Sequence, residues 1–206
     1  MRILILGMTG RVGSEIAKLA LEDKHKVTAL VRTPEKITSK DENLSVIKGD
    51  ATIKEDVERA MKDADAVISA LNTDGGETLT ESMPLIIEAM KAEGIKRIVT
   101  IGTAGILNSR VEDDVLRYQS SESKRKLTRA AEEHHKTYEL LEASELDWTV
   151  VCPTYLPDGE AAGKYREKRN YLPEGGKKIT VGDTAEFAYK QLESDEYLKS
   201  RVGIAY

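Results

Sequence analysis

The N-terminal stretch ILILGMTGRVGSEI, residues 3–16, constrains the fold of this chain most strongly. Four consecutive apolar residues, typical of a buried strand, lead into Gly7, Gly10 and Gly13, and apolar residues then recur at helical spacing. A glycine-rich turn between a strand and a helix lets the backbone approach a pyrophosphate, which the helix N-terminus attracts. Because a second apolar run follows at residues 26–31, the pattern favours a dinucleotide cradle over a purely structural turn.

The same alternation of apolar runs and helical patterns continues along the chain, which is typical of repeated βαβ units. We predict strands at 2–7, 26–31, 45–48, 65–70, 97–102 and 148–152, and a short one at 202–205. Helices are expected between the strands, with a longer one over 124–144 and another over 183–193 that begins at an Asp183 cap.

The expected architecture is therefore α/β, a single doubly wound Rossmann-type domain over residues 1–206 with a mostly parallel sheet. Two irregular connections, near 103–123 and 154–178, follow the carboxyl ends of predicted strands. Ligands of such sheets bind outside these ends, so we predict that both connections wall the substrate site.

Composition narrows the possible functions. The formal charge of −5 argues against a duplex nucleic-acid partner, and no apolar run approaches the ~20 residues of a membrane span. A single cysteine, Cys152, and three histidines without metal-ligand spacing favour a cytoplasmic protein with no metal site. The expected partner is a small-molecule acceptor, and the oligomeric state is open between monomer and homodimer.

The residue that follows the second predicted strand indicates the cofactor. Arg32 stands nineteen residues after Gly13, where an acidic residue would bind the ribose 2′-hydroxyl of NAD. An arginine suits a 2′-phosphate by charge and geometry, so the sequence predicts NADP(H). Arg11 and Lys36 would add to the same phosphate pocket, or else are exposed surface cations.

Five segments carry a resemblance to a known family: GMTGRVG, VRTPEK, VIKGDATIKEDVERAMKDADAVISAL, RIVTIGTAG and LLEASELDWTVVCPTYL. In order and spacing they resemble the atypical short-chain dehydrogenase/reductases, in particular the NAD(P)H-binding group of biliverdin reductase B-like flavin reductases and NmrA-like proteins. The resemblance implies that Asp50 and Ala51 flank the adenine and that Leu71 lies along the middle of the cofactor. It also implies that Thr103 faces the nicotinamide, and that Pro153, Thr154 and Tyr155 close over its ring. The predicted cofactor-binding set is Gly7, Thr9, Gly10, Arg11, Val12, Gly13, Arg32, Asp50, Ala51, Leu71, Thr103 and Pro153.

A catalyst is harder to identify in the sequence. None of the eight tyrosines has a lysine four residues later, so the Tyr-x-x-x-Lys pair of typical short-chain reductases is absent. The remaining candidates are Thr103 and Tyr155, each just beyond a strand; Tyr155 would stack on a ring or donate a proton, and stacking is favoured. His134 is the titratable group that the predicted 124–144 helix offers.

A site without a strong acid suits hydride transfer to a flavin better than carbonyl reduction. The sequence therefore favours an NADPH-dependent oxidoreductase that reduces a flat conjugated acceptor, such as FMN, another flavin or a quinone. Two alternatives stay open at this point: an NmrA-like non-catalytic sensor of NADP(H), and an NAD(P)-dependent epimerase or dehydratase.

Overall fold

The computed structural model describes residues 1–73, 75–123 and 127–206, and the elements below lie within these ranges. Eight strands form one sheet: β1 Arg2–Leu6, β2 Lys26–Val31, β3 Leu44–Lys48, β4 Ala66–Ser69, β5 Arg97–Ile101, β6 Asp147–Pro153, β7 Arg166–Arg169 and β8 Ser200–Ala205. Five α-helices connect them: α1 Arg11–Glu22, α2 Lys54–Met61, α3 Thr78–Ala92, α4 Arg129–Glu142 and α5 Val181–Lys190.

The strand order is β3-β2-β1-β4-β5-β6-β8-β7. All neighbouring strands are parallel except β7 and β8, which are antiparallel. The order reverses at β1, with β2 and β3 on one side and β4 to β6 on the other, which is the doubly wound topology. The expected fold class is confirmed.

Two apolar cores lie on opposite faces of the sheet. One holds residues of α1 and α5, among them Ile16 and Phe187, together with Ile3 and Ile5 of β1. The other holds residues of α2, α3 and α4, together with Leu4 and Leu6 of β1. Because side chains alternate along a strand that is covered on both faces, the apolar run of β1 serves both cores and explains its lack of polar residues.

Three sequence-based assignments need correction. The helix expected over 124–144 is α4, which ends at Glu142; residues 127–128 precede its first turn, and 124–126 lie outside the described residues. The helix expected to begin at an Asp183 cap begins instead at Val181, because the Thr180 side chain accepts a hydrogen bond from the Asp183 backbone N–H at 3.2 Å. The charged strand β7 was not expected.

Asp183 serves a different purpose. Its carboxylate is buried and accepts hydrogen bonds from the backbone N–H groups of Ala162 at 2.8 Å and Gly163 at 2.7 Å, and from the hydroxyl of Tyr206. These bonds hold the pKa of Asp183 below its ordinary value although its burial raises it. The carboxylate thus fastens the connection after β6 to the N-terminus of α5.

None of the helices in the described ranges has the length and apolar character needed to cross a bilayer.

Candidate cofactor and acceptor site

The glycine loop joins β1 to α1, and its three glycines meet different demands. Gly7 has a φ of +82°, and a Cβ there would lie 2.4 Å from the carbonyl oxygen of Ala70. A Cβ on Gly13 would lie 2.2 Å from the carbonyl oxygen of Gly7. Both positions therefore need glycine so that the loop can pack against its own neighbours.

Gly10 differs from the other two. Its φ of −84° and ψ of 166° are open to any residue, and a Cβ there would meet only the Gly7 carbonyl oxygen, at 3.2 Å. Gly10 is also the N-cap of α1, and among the described residues no side chain caps this helix and no acidic residue occupies its first turn. The free N–H groups of the first turn and the small residue before them form an open anion-binding end.

A cleft extends from this loop along the carboxyl ends of β1, β2 and β4. Among the residues that line it are Gly7, Thr9, Gly10, Arg32, Asp50, Ala51 and Leu71. Seven of the predicted cofactor-binding residues therefore lie around one cleft, although their segments span 64 positions of sequence between Gly7 and Leu71.

Asp50 is held in this cleft by hydrogen bonds on both sides. Its backbone N–H donates to Asp56 Oδ2 at 2.8 Å, and its own Oδ1 accepts from the backbone and hydroxyl of Thr52 at 3.0 and 2.9 Å. The bond from Asp50, with a second from Arg59, keeps the pKa of Asp56 below its ordinary value. Asp56 is therefore ionised at neutral pH and fixes the turn that carries Asp50.

Other predicted cofactor residues lie outside the lining of the cleft. The guanidinium of Arg11 donates to Asp158 Oδ1 at 2.8 Å and to the Leu156 carbonyl at 3.0 Å, so the structure does not bring it to Arg32. Lys36 lines a separate depression beside α1. The side chains of Val12 and Pro153 are buried, Val12 in the core and Pro153 at the end of β6.

A second pocket, of about 390 Å³, adjoins the cleft, and we call it the acceptor pocket. Asn72, just after β4, lines both spaces. Thr103 and Thr154 reach the acceptor pocket from the ends of β5 and β6, and α4 covers it with His134. The predicted nicotinamide contact Thr103 thus lines the acceptor pocket just beyond β5, and its hydroxyl accepts a hydrogen bond from the Gly105 N–H at 3.4 Å.

Two further residues line the acceptor pocket: His134, which the sequence offered as a titratable group, and Tyr118, which the sequence analysis did not identify. Burial lowers the pKa of His134 to about 4, so its ring is neutral at pH 7, and it has no hydrogen-bond partner among the described residues. Tyr118 lines the pocket from the connection after β5, with its hydroxyl 3.0 Å from His135 Nδ1. Its partner lies 17 residues away, so a search for a lysine four residues on could not find the pair.

Tyr155, the second predicted catalytic residue, lies on the surface. Its side chain is 64% exposed, and it is its neighbour Thr154 that lines the acceptor pocket. Nor does the basic segment that follows reach the pocket, because β7 is the outermost strand of the sheet. Two arginines of β7 instead donate to backbone carbonyls. Arg166 donates to those of Glu174 and Tyr206. Arg169 donates to those of Glu196 and Leu198.

The open helix end at Gly10, the cleft and Arg32 together fit a dinucleotide phosphate chain. Gly10 leaves room for the phosphates, the first turn of α1 offers N–H donors, and Arg32 supplies positive charge at the far side of the cleft. Within the described ranges no cluster of three His, Cys, Asp or Glu side chains is arranged to hold a metal ion.

Comparisons with known proteins agree with this geometry. A family model described as NAD(P)H-binding matches residues 7–195. The structure of a proposed epimerase from Bacteroides thetaiotaomicron has a TM-score of 0.87 and 31% identity, and the match covers 100% of this chain and 96% of that one. A proposed NADH-flavin reductase from Streptococcus pneumoniae has a TM-score of 0.84 at 23% identity, covering 100% and 99% of the two chains. ChuY, an anaerobillin reductase from Escherichia coli O157:H7, has a TM-score of 0.84 at 22% identity, covering 100% and 97%.

The last two structures, at 23% and 22% identity, show only that the fold is shared. The family model spans nearly the whole chain and includes the glycine loop, the Arg32 position and the strand ends that form both pockets. It confirms the predicted nicotinamide cofactor, and it agrees with the expectation of an NAD(P)H-dependent oxidoreductase. The chain belongs to the NAD(P)H-binding family of Rossmann-fold proteins.

Proposed function

We propose that this protein is an NADPH-dependent reductase that reduces a flat conjugated acceptor, a flavin or a quinone, by direct hydride transfer. The observation that carries the proposal is the junction of the two spaces at Asn72. A dinucleotide that lies along the cleft from the glycine loop would end at the acceptor pocket, beside Thr103. The proposal extends the family assignment to a cofactor preference and an acceptor class.

The preference for NADPH over NADH rests on Arg32, which lines the cleft at the end of β2. No acidic residue replaces it at this position, so the ribose 2′-hydroxyl lacks the usual carboxylate partner. A guanidinium binds a phosphate with charge-assisted hydrogen bonds. The 2′-phosphate is therefore the group that distinguishes the two cofactors here.

When bound, NADPH supplies the hydride. The chain itself positions the two reactants and excludes water. Thr103 and Thr154 place hydroxyl groups at the ends of adjacent strands, while the exposed side chain of Leu127 offers an apolar edge beside the pocket. The neutral ring of His134 offers a hydrogen bond without adding charge to the pocket. Holding two rings in contact distance is the main requirement for hydride transfer to flavin N5.

Two further observations support a flavin-type acceptor. The Tyr-x-x-x-Lys pair of alcohol-forming relatives is absent, and transfer to a flavin does not need it. The similar structures include proteins named as a proposed NADH-flavin reductase and an anaerobillin reductase.

The test is steady-state oxidation of NADPH by the purified protein with FMN and with menadione, followed at the nicotinamide absorbance band. We expect saturable turnover with at least one acceptor. The matched control is Gly10→Val, which should fold but bind NADPH poorly and lose turnover with both acceptors.

A protein that binds NADPH tightly but oxidises it with no flavin or quinone would refute the reductase proposal. That outcome would favour the NADP(H)-sensing alternative, because a sensor needs the cleft but not the acceptor pocket.

A further inference from the structure

Tyr118 and His135 form a phenol–imidazole pair at the wall of the acceptor pocket. The hydroxyl of Tyr118 lies 3.0 Å from His135 Nδ1, and the two rings meet edge to face with their centroids 5.8 Å apart. The other ring nitrogen of His135, Nε2, lies 3.6 Å from Glu139 Oε1, one helical turn on. A chain of three titratable groups therefore leads from the pocket to the surface of α4.

The surroundings keep the phenol protonated. Partial burial, together with the carboxylates of Glu132 and Glu139, raises the pKa of Tyr118. At neutral pH the hydroxyl thus carries a proton, and a tyrosinate formed in its place would be reprotonated readily. The hydroxyl therefore holds a proton that it can donate to an acceptor in the pocket, although its raised pKa makes it a weaker acid than an ordinary tyrosine.

We propose that Tyr118 donates a proton to a second class of acceptor, an aldehyde or ketone conjugated to a flat ring, and that His135 positions and recharges it. The inference rests on the proposed function for its source of hydride. It adds carbonyl reduction to the reduction of flavins or quinones, which needs no such acid. The absent Tyr-x-x-x-Lys motif would then be replaced by a tyrosine with a partner distant in sequence.

The reaction balances as a two-electron reduction. Hydride from NADPH forms the new C–H bond at the carbonyl carbon, and the C=O π electrons move to the oxygen. That oxygen takes the phenolic proton of Tyr118 and becomes a hydroxyl group. The phenolate recovers a proton from His135 Nδ1, and the ring of His135 regains a proton from solvent. In sum, the carbonyl compound, NADPH and one solvent proton give the alcohol and NADP⁺.

The hydrogen bond restricts which form of the pair is active. For the phenolic hydrogen to point at the acceptor, the Tyr118 oxygen must accept from His135 Nδ1–H. A ring that carries a proton on Nδ1 provides this bond, and its Nε2 lies toward Glu139. The groups that face the pair are Glu132, Tyr138 and Glu139 of α4 and Gln119 of the connection after β5.

The kinetic test compares 4-nitrobenzaldehyde with FMN as acceptors for the NADPH-loaded protein. Tyr118→Phe should lower kcat for the aldehyde by roughly 10²-fold or more, the usual size of a general-acid contribution, and leave kcat for FMN nearly unchanged. His135→Gln should lower the aldehyde rate and leave kcat for FMN nearly unchanged. The control is Tyr138→Phe, which removes only the hydroxyl of a ring that stacks on His135 and does not line the pocket, and both rates should be retained.

A second readout needs no cofactor. Ring-nitrogen NMR of His135 in the free protein should show a changed Nδ1 signal in Tyr118→Phe and no such change in Tyr138→Phe. An identical Nδ1 signal in wild type and Tyr118→Phe would show that the pair does not exist in solution and would overturn the inference.

The outcomes separate this inference from the proposed function. Reduction of FMN without any reduction of the aldehyde refutes the inference alone, as does an equal loss of both activities in a folded Tyr118→Phe variant. Reduction of the aldehyde that depends on Tyr118, without reduction of flavin or quinone, refutes the proposed acceptor class and supports the inference. Failure with every acceptor refutes both.

Discussion

The contrast between Gly10 and Gly13 gives a prediction that separates cofactor binding from folding. In Gly13→Ala the new Cβ would lie 2.2 Å from the carbonyl oxygen of Gly7, against 3.4–4 Å for an ordinary contact. The two groups must move apart by about 1 Å or more, in a junction where strand, loop and helix are tightly packed. Overpacking of this kind costs about 1–3 kcal/mol, and about 2–4 °C of Tm accompany each kcal/mol in a chain of this size. We therefore expect Gly13→Ala to lower Tm by roughly 2–12 °C.

Gly10→Ala should behave differently. The backbone angles of Gly10 suit alanine, and the nearest atom to the new Cβ is 3.2 Å away. The lower entropy of the unfolded chain favours alanine by about 0.4–1 kcal/mol, and the poorer N-cap opposes it by a similar amount, so Tm should change by no more than a few degrees. The methyl group would nevertheless stand where the phosphates approach the helix end, and Gly10→Val would block it further. We expect Gly10→Val to raise the Kd of NADPH and of NADH by at least about tenfold, or 1.4 kcal/mol.

The assay pairs thermal unfolding with titration of nicotinamide fluorescence for all three variants. We expect Gly10→Val to lose NADPH and NADH binding with little change in Tm, and Gly13→Ala to have a lowered Tm. Wild-type NADPH affinity in a folded Gly10→Val protein would refute the assignment of this loop to the phosphates and leave it as a structural turn.

Three further predictions follow from other residues of the site. Arg32→Ala should weaken NADPH binding by ~1.5–3 kcal/mol in the same titration and leave NADH nearly unchanged; equal losses for both cofactors would contradict a role in reading the 2′-phosphate. Tyr155→Ala should raise the KM for FMN only a few-fold with kcat unchanged, because a surface ring 64% exposed offers at most a stacking edge; a large loss of kcat in steady-state assays would instead make it a proton donor. Burial lowers the pKa of His134 to about 4 from its ordinary value of 6.5. As the pH falls from 6.5 to 4, the His134 imidazole is protonated in the unfolded chain but not in the folded protein, so the free energy of unfolding decreases. His134→Gln should remove about 1–2 kcal/mol of that loss between pH 7 and 5, measured by denaturant unfolding; an unchanged pH dependence would show that the ring is charged or solvated in the folded protein.

The parts of the fold that could be predicted from the sequence are those governed by local pattern. The four apolar residues before Gly7 indicated a buried strand, and β1 lies inside the sheet between β2 and β4. Gly7, Gly10 and Gly13 indicated a tight loop at a helix start, where the structure places them. Both patterns involve residues within a few positions of each other, so they can be interpreted without knowledge of the tertiary structure.

The parts that could not be predicted depend on distant contacts. The charged sequence of β7 has no apolar face, and the strand forms because β8 offers it an edge to pair with. Asp183 resembled a helix cap, but its carboxylate is committed to Ala162 and Gly163 in a loop 20 residues earlier. In the same way, Tyr118 gains its imidazole partner only when α4 packs over the connection that follows β5.

An anaerobic single-turnover experiment measures direct hydride transfer itself. The protein, loaded with NADPH carrying deuterium at the transferable nicotinamide position, is mixed with FMN or with menadione, and the absorbance of the acceptor is followed. We expect one FMN to be bleached for each NADPH oxidised, and deuterium to slow this step relative to unlabelled NADPH. Saturable binding of NADPH with FMN and menadione both left oxidised would refute direct hydride transfer to this class of acceptor.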